Sequence, residues 1–112
     1  MAELTNLDKI FVALSNKHRR EIVYSLSLHP HSISHLAEMR QLSLQAIHKH
    51  IDVLENAGLL HRKKSGQTYF LALKRQALHE LQDWLMQYHP FWGNDNETLE
   101  NYQHYLKGGE KK

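Results

Sequence analysis

The sequence predicts a mainly α-helical domain that carries a single two-stranded β-hairpin. Three observations predict it. Apolar residues recur at the three-and-four spacing of a helix face in six separate stretches of the 112 residues. One stretch, 59–73, breaks that period and is interrupted at Ser65-Gly66, as a hairpin would be. Composition agrees: 41% hydrophobic, 23% charged, two prolines and five glycines describe a globular chain, and 112 residues supply one core rather than two. Residues 1–112 are therefore read as a single domain.

In chain order, Leu4, Leu7, Phe11 and Leu14 mark a first helix, opened by Thr5 with Asp8 three residues on as a variant of the capping box. Asn16 caps a second helix that runs through Leu28, with Ile22, Val23 and Leu26 inward. His29-Pro30 ends it, because a residue before proline is pushed out of the helical region. Ser32 caps a short third helix packed through Ile33, Leu36 and Met39, and Arg40-Gln41-Leu42 turns the chain into the fourth.

The fourth helix is the most informative. Ser43 caps it and Gly58 provides a left-handed stop. Ile47, Ile51 and Leu54 form its inward row, which leaves Gln45, His48, Lys49 and Asp52 on the wet face. Two helices joined by a tight turn, the second polar outside, make a helix-turn-helix, and such a helix fits a major groove about 12 Å across. Strands over 59–64 and 67–73 follow, with Ser65-Gly66 as the turn. From Lys74 the helical period returns through Leu78, Leu81, Leu85 and Tyr88 until Pro90, and a last helix from about Asn96 to Leu106 carries Leu99, Tyr102 and Leu106.

The net charge of +2 conceals an uneven distribution. No acidic residue lies between Glu55 and Glu80, whereas Arg62, Lys63, Lys64, Lys74 and Arg75 do. Such a gap is the footprint of a polyanion-binding face, here directly after the helix that would read the polyanion. No apolar run approaches the ~20 residues that span a bilayer, and Glu3 and Asp8 interrupt what a signal peptide would require, so a cytoplasmic protein without a membrane partner is expected. The absence of cysteine removes thiol chemistry and thiolate metal sites. No glycine-rich phosphate loop, no cysteine nucleophile and no carboxylate pair placed in an evident pocket is found, so no catalytic residue is assigned and no enzyme is expected.

The segments LSNKHRREIV at 14–23, SISHLAE at 32–38 and SLQAIHKHIDVLENAGLL at 43–60 resemble the ArsR/SmtB family of bacterial winged-helix repressors, over about residues 9–106. The resemblance implies a winged helix-turn-helix: four helices, a two-stranded wing, a fifth helix and, here, a C-terminal sixth. Carried over residue by residue, it implies that Ser43, Gln45, His48 and Lys49 meet DNA from the recognition helix, and that Arg62, Lys63, Lys64 and Gln67 contact backbone from the wing. Leu44 and Gln41 depart from the pattern, since relatives often have a polar residue at the first position and a glycine in the turn. If the turn needs a positive φ, Gln41 adopts it under strain.

The resemblance also implies a dimer built from the first and last helices. The apolar supply of Leu4, Leu7, Phe11, Trp84, Phe91, Trp92, Leu99, Tyr102 and Leu106 fits that use, although each alone could complete the monomer core. A homodimer would meet a palindromic operator in double-stranded DNA with two half-sites about one turn apart.

Ten histidines invite a metal, and many members of the resembled family sense one. Spacing argues otherwise, because the cysteines and the Asp-x-His of the family's sites are missing, and His29, His31 and His35 or His79 and Asp83 are too few ligands for a closed site. The expectation is a repressor with no cofactor and no metal. A histidine-based metal-responsive derepressor and a winged-helix protein-interaction module are the alternatives. His48 would touch DNA, whereas His50, beside the inward row, would orient the helix or reach a phosphate.

Overall fold

In the computed structural model, residues 4–88 and 93–108 are described. Helix α1, Asn6–Ala13, begins with the predicted capping box: Thr5 Oγ1 accepts from the Asp8 amide at 3.1 Å, and Asp8 Oδ2 accepts from the Thr5 amide at 3.2 Å. Helix α2, Lys17–Leu28, starts on Asn16, whose Oδ1 accepts from the Arg19 amide, and stops at an extended His29 before Pro30. Helix α3, Ile33–Arg40, and helix α4, Leu44–Asn56, start on Ser32 and Ser43 in the same manner. Helices α5, Arg75–Leu85, and α6, Thr98–Leu106, follow the hairpin. The fold is the winged helix-turn-helix expected.

Both ends of the helix-turn-helix are closed by the same device. At the end of α4, the Leu59 amide reaches the Leu54 carbonyl and the Gly58 amide the Glu55 carbonyl, each at 3.0 Å, around Gly58 at φ 75°. At the end of α3, the Leu42 amide reaches Ala37 at 2.9 Å and the Gln41 amide reaches Glu38 at 3.1 Å, with Gln41 at φ 56°, ψ 44°. The turn therefore does demand a left-handed residue, and here a glutamine occupies it.

The sheet has three strands in the order β1-β3-β2, all antiparallel: β1 is His31–Ser32, β2 Leu60–Ser65 and β3 Thr68–Leu73. The sequence predicts only the last two. Two residues are too few to show the alternation of a strand, and β1 exists because the chain entering α3 hydrogen-bonds to Phe70 and Leu71. The hairpin turn is also displaced by one residue. Ser65 pairs with Thr68, so Gly66-Gln67 rather than Ser65-Gly66 is the two-residue loop. Gly66 has φ 64° and Gln67 does not share the positive sign, the pattern of a turn with glycine in its first central position.

The core collects one face of each of α1 to α5 and of the sheet: Ile10 from α1, Ile22 and Leu26 from α2, Leu36 from α3, Ile47, Ile51 and Leu54 from α4, Leu60 and Leu71 from the sheet and Ala77 from α5. Several expected inward residues lie elsewhere. Met39 is exposed and Ala37 takes its place beside Leu36. On α1 the buried residues are Ile10 and Ala13 rather than Leu4 and Phe11. Leu85 and Tyr88 are exposed, and α5 ends before Tyr88. Pro90 lies outside the described residues, as do Phe91 and Trp92. Among the described residues, no helix is long and apolar enough to cross a membrane.

Candidate nucleic-acid interface

Helix α4 divides as its period requires. Ile47, Ile51 and Leu54 are fully buried, and Gln45, His48, Lys49 and Asp52 are exposed. Ser43 Oγ is engaged by the Ala46 amide at 3.1 Å, so this side chain at the mouth of the helix first serves the cap. Leu44 is also exposed, beside the hairpin.

The hairpin flanks one border of this face. Gln67, Thr68 and Tyr69 face Leu44 and His48, with Ile33 and Ser34, across an open cleft of about 260 Å³. Lys63 and Lys64 are exposed, and the Lys64 ammonium sits 5.5 Å from the centre of the Tyr69 ring, which limits its sweep without neutralising it. Arg62 differs from them. Its Nη2 is 2.9 Å from Glu55 Oε1 and 3.1 Å from Asp52 Oδ1, and its Nε donates to both oxygens of Glu55 at 3.2 Å. The hydrogen bonds it donates to Glu55, and then the charges of Glu55 and Asp52, make the guanidinium hold its proton even more firmly than usual. Arg62, expected at the DNA backbone, thus ties the hairpin to α4.

The opposite border carries a second polar cluster. Arg19 Nη1 lies 3.2 Å from His50 Nδ1, and Arg19 Nε donates to the Ala13 carbonyl at 2.7 Å, so this one side chain joins the end of α1 and the middle of α4 to α2. Arg40, at the end of α3, donates from Nε and Nη2 to His18 Nδ1 at 3.2 and 3.1 Å, and the His18 and His50 rings lie 5.6 Å apart. Burial, then the charges of Arg19 and His18, lower the His50 pKa. His50 thus joins α4 to α2 through Arg19. Sequence reasoning missed Arg19, Arg40 and His18 as neighbours of the recognition helix. The basic run Lys17–Arg20 was the available signal, but its position beside α4 is a tertiary fact.

The remaining histidine cluster is at the start of β1. His29 stacks on His31 with ring centres 4.2 Å apart, and His31 and His35 approach at 3.2 Å between Nδ1 atoms. Burial first, then His29 and His35, lower the His31 pKa. Among the described residues, no group of three or more His, Asp or Glu side chains is arranged to hold a metal.

Of the residues expected to form a dimer surface, Leu7 and Trp84 are half-buried, and Phe11 meets Trp84 edge to face at 5.0 Å where α1 packs on α5. Leu4, Leu99, Tyr102 and Leu106 are exposed.

The family model described as "Bacterial regulatory protein, arsR family" matches residues 16–62, which run from the cap of α2 into the hairpin. Among solved structures, the crystal structure of an ArsR family transcriptional regulator is 31% identical, with a TM-score of 0.69 over 78% of this chain and 91% of that one. An ArsR-like transcriptional regulator from Rhodococcus sp. RHA1 is 27% identical, with a TM-score of 0.75 over 92% of each chain. HlyU from Vibrio cholerae N16961 shares the fold at 24% identity and a TM-score of 0.62, over 74% of this chain and 91% of its own. A comparison with curated proteins gives no match.

Proposed function

The chain belongs to the ArsR family of bacterial transcriptional regulators, and from that premise we propose that residues 1–112 form one domain that dimerises and represses transcription by occupying a palindromic operator. It acts in the cytoplasm on double-stranded DNA and performs no catalysis. The observation that carries this reading is the exposure of Gln45, His48 and Lys49 as one face, beside a hairpin whose Lys63 and Lys64 are also exposed. Phosphate contacts from Lys49, Lys63 and Lys64 supply most of the affinity, because charge neutralisation acts on any sequence. Gln45 and His48 supply most of the discrimination, since sequence is read at base edges. Arg62 contributes by fixing the angle of the wing against α4, through Asp52 and Glu55.

The test is a duplex titration by fluorescence anisotropy over a range of salt, with an operator obtained by sequencing fragments the purified protein selects. Counterion release predicts a steep linear fall of log affinity with log salt. Lys63→Ala with Lys64→Ala should weaken all duplexes alike and flatten the slope, whereas Gln45→Ala should cost about 1–3 kcal/mol at one operator position. Affinity without a salt slope would overturn the reading in favour of a protein partner. A wing change that alters sequence preference, with a Gln45 change that does not, would reverse the roles assigned.

A further inference from the structure

The two borders of the α4 outer face are unlike in the way their arginines are satisfied. Successive residues of a helix are rotated by about 100°, so positions 44, 48 and 55 lie along one border of α4 and position 50 along the other, with Gln45, Lys49 and Asp52 exposed between them. The hairpin occupies the first border, where Arg62 is held by two carboxylates. The second is occupied by Arg19 and Arg40, which have no carboxylate within 4 Å among the described residues. Their side-chain partners are imidazole nitrogens: His50 Nδ1 for Arg19, and His18 Nδ1 for the paired Nε and Nη2 donors of Arg40. A guanidinium offers those two donors to the oxygens of a carboxylate or phosphate, and a neutral nitrogen satisfies the hydrogen bonds while leaving the charge uncompensated.

Two more cations flank His18 and Arg19 in the sequence. Lys17 and Arg20 are exposed at the start of α2, and the first turn of that helix contains no acid. Positive charge there opposes the helix dipole, so the arrangement works against the stability of α2. A helix lying in the major groove has a phosphodiester strand on each side. The hairpin lies along only one border of α4.

We propose that Lys17, His18 and Arg40 form a second phosphate-binding edge, which grips the DNA strand on the side of the recognition helix away from the wing. The inference rests on the DNA-binding reading and extends it: the recognition helix is clamped between two cationic borders rather than supported on one. The occupant is a backbone phosphate of the same duplex, chosen by charge complementarity and by continuity with the face that carries Gln45 and Lys49. Arg19 acts behind the edge as a positioning residue, since its Nε, Nη1 and Nη2 are all committed to His50 and to the end of α1, whereas Arg40 uses only Nε and Nη2 on His18 and keeps Nη1 for a phosphate.

The experiment is the salt dependence of binding of the full chain to a duplex of unrelated sequence, compared with the selected operator. Lys17→Gln and Arg40→Gln should each lower the salt slope by about 1, near the 0.9 expected for one phosphate, and should weaken both duplexes by the same factor. Arg40→Lys keeps the charge and should restore the slope, which a purely structural role for Arg40 would not produce. Lys17 is exposed at the first residue of its helix, so Lys17→Gln tests the edge without threatening the fold. An unchanged slope in both glutamine variants, while Lys63→Gln lowers it, overturns this proposal and leaves the DNA-binding reading intact. A wild-type protein with no salt slope overturns both.

Discussion

Arg19 of α2 and His50 of α4 meet at 3.2 Å although 31 residues separate them, and the contact sits where α1, α2 and α4 converge. The imidazole nitrogen facing a guanidinium must be an acceptor. The orientation of the recognition helix is therefore coupled to the protonation of a histidine.

Stability should depend on pH through His50 and His31. Both have pKa values lowered from 6.5, His50 by burial with Arg19 and His18, His31 by burial with His29 and His35. The folded chain then binds fewer protons than the unfolded one just below 6.5, so their contribution is complete above that value. It is lost as pH falls from there through the depressed folded values. Urea midpoints should drop between about pH 7.5 and about pH 5.5, and His50→Gln with His31→Gln should flatten the drop. An equally steep drop in the double variant would assign it to other groups.

Gln41→Gly should stabilise the protein. A non-glycine residue in the left-handed region costs about 1–2 kcal/mol, against about 0.5–1 kcal/mol for the extra freedom glycine loses on folding, which leaves a gain of about 0.5–1 kcal/mol. Gln41 is exposed at φ 56°, so little packing is sacrificed. Gln41→Val should destabilise, because a branched side chain tolerates that backbone worse. Denaturant unfolding of the pair reads both signs.

Arg62→Ala and Lys63→Ala should separate structure from binding. Arg62 has a side chain 29% exposed and three hydrogen-bonded carboxylate oxygens, whereas Lys63 points to solvent. Losing the Arg62 contacts should cost about 1 kcal/mol of stability, near the upper range for partly exposed ion pairs. Lys63→Ala should leave the melting temperature unchanged and lower duplex affinity. Equal effects on melting would place both residues in the same role.

Leu99→Glu with Leu106→Glu should shift the chain from dimer to monomer. Both side chains are more than 60% exposed on α6, an area no folding unit gains by leaving wet. Sedimentation equilibrium should show the dimer dissociation constant rising by about tenfold or more, or about 1.4 kcal/mol per decade. Circular dichroism should be unaltered. A monomeric wild-type protein would remove the dimer from the proposed function.

The parts legible in the sequence are those encoded within a few residues. Thr5, Asn16, Ser32 and Ser43 open their helices because each hydroxyl, or the Asn16 amide oxygen, reaches an amide three positions on, and Gly58 closes α4 because it alone adopts φ 75° cheaply. The wet face of α4 is legible for the same reason, since a period of 3.6 is a local property. Less legible was the choice among apolar residues. Ile33, Leu36 and Ala37 share one stripe of α3 and are buried, whereas Met39 stands about 160° round the helix from Ala37 and is exposed, so which side of Leu36 turns inward is set by the neighbouring elements.

The sequence by itself determined the order of the helices, their caps, the hairpin and the residues presented on the recognition helix, because hydrogen-bond reach and side-chain periodicity along one segment are enough for these. Only the tertiary structure decided that His31 and Ser32 pair with Leu71 and Phe70, that Arg62 is held by Asp52 and Glu55, and that Arg19, Arg40 and His18 stand beside α4. Those contacts join segments whose approach depends on how every buried face is satisfied at once. A charged side chain is free or paired according to what that packing brings within about 3 Å of it.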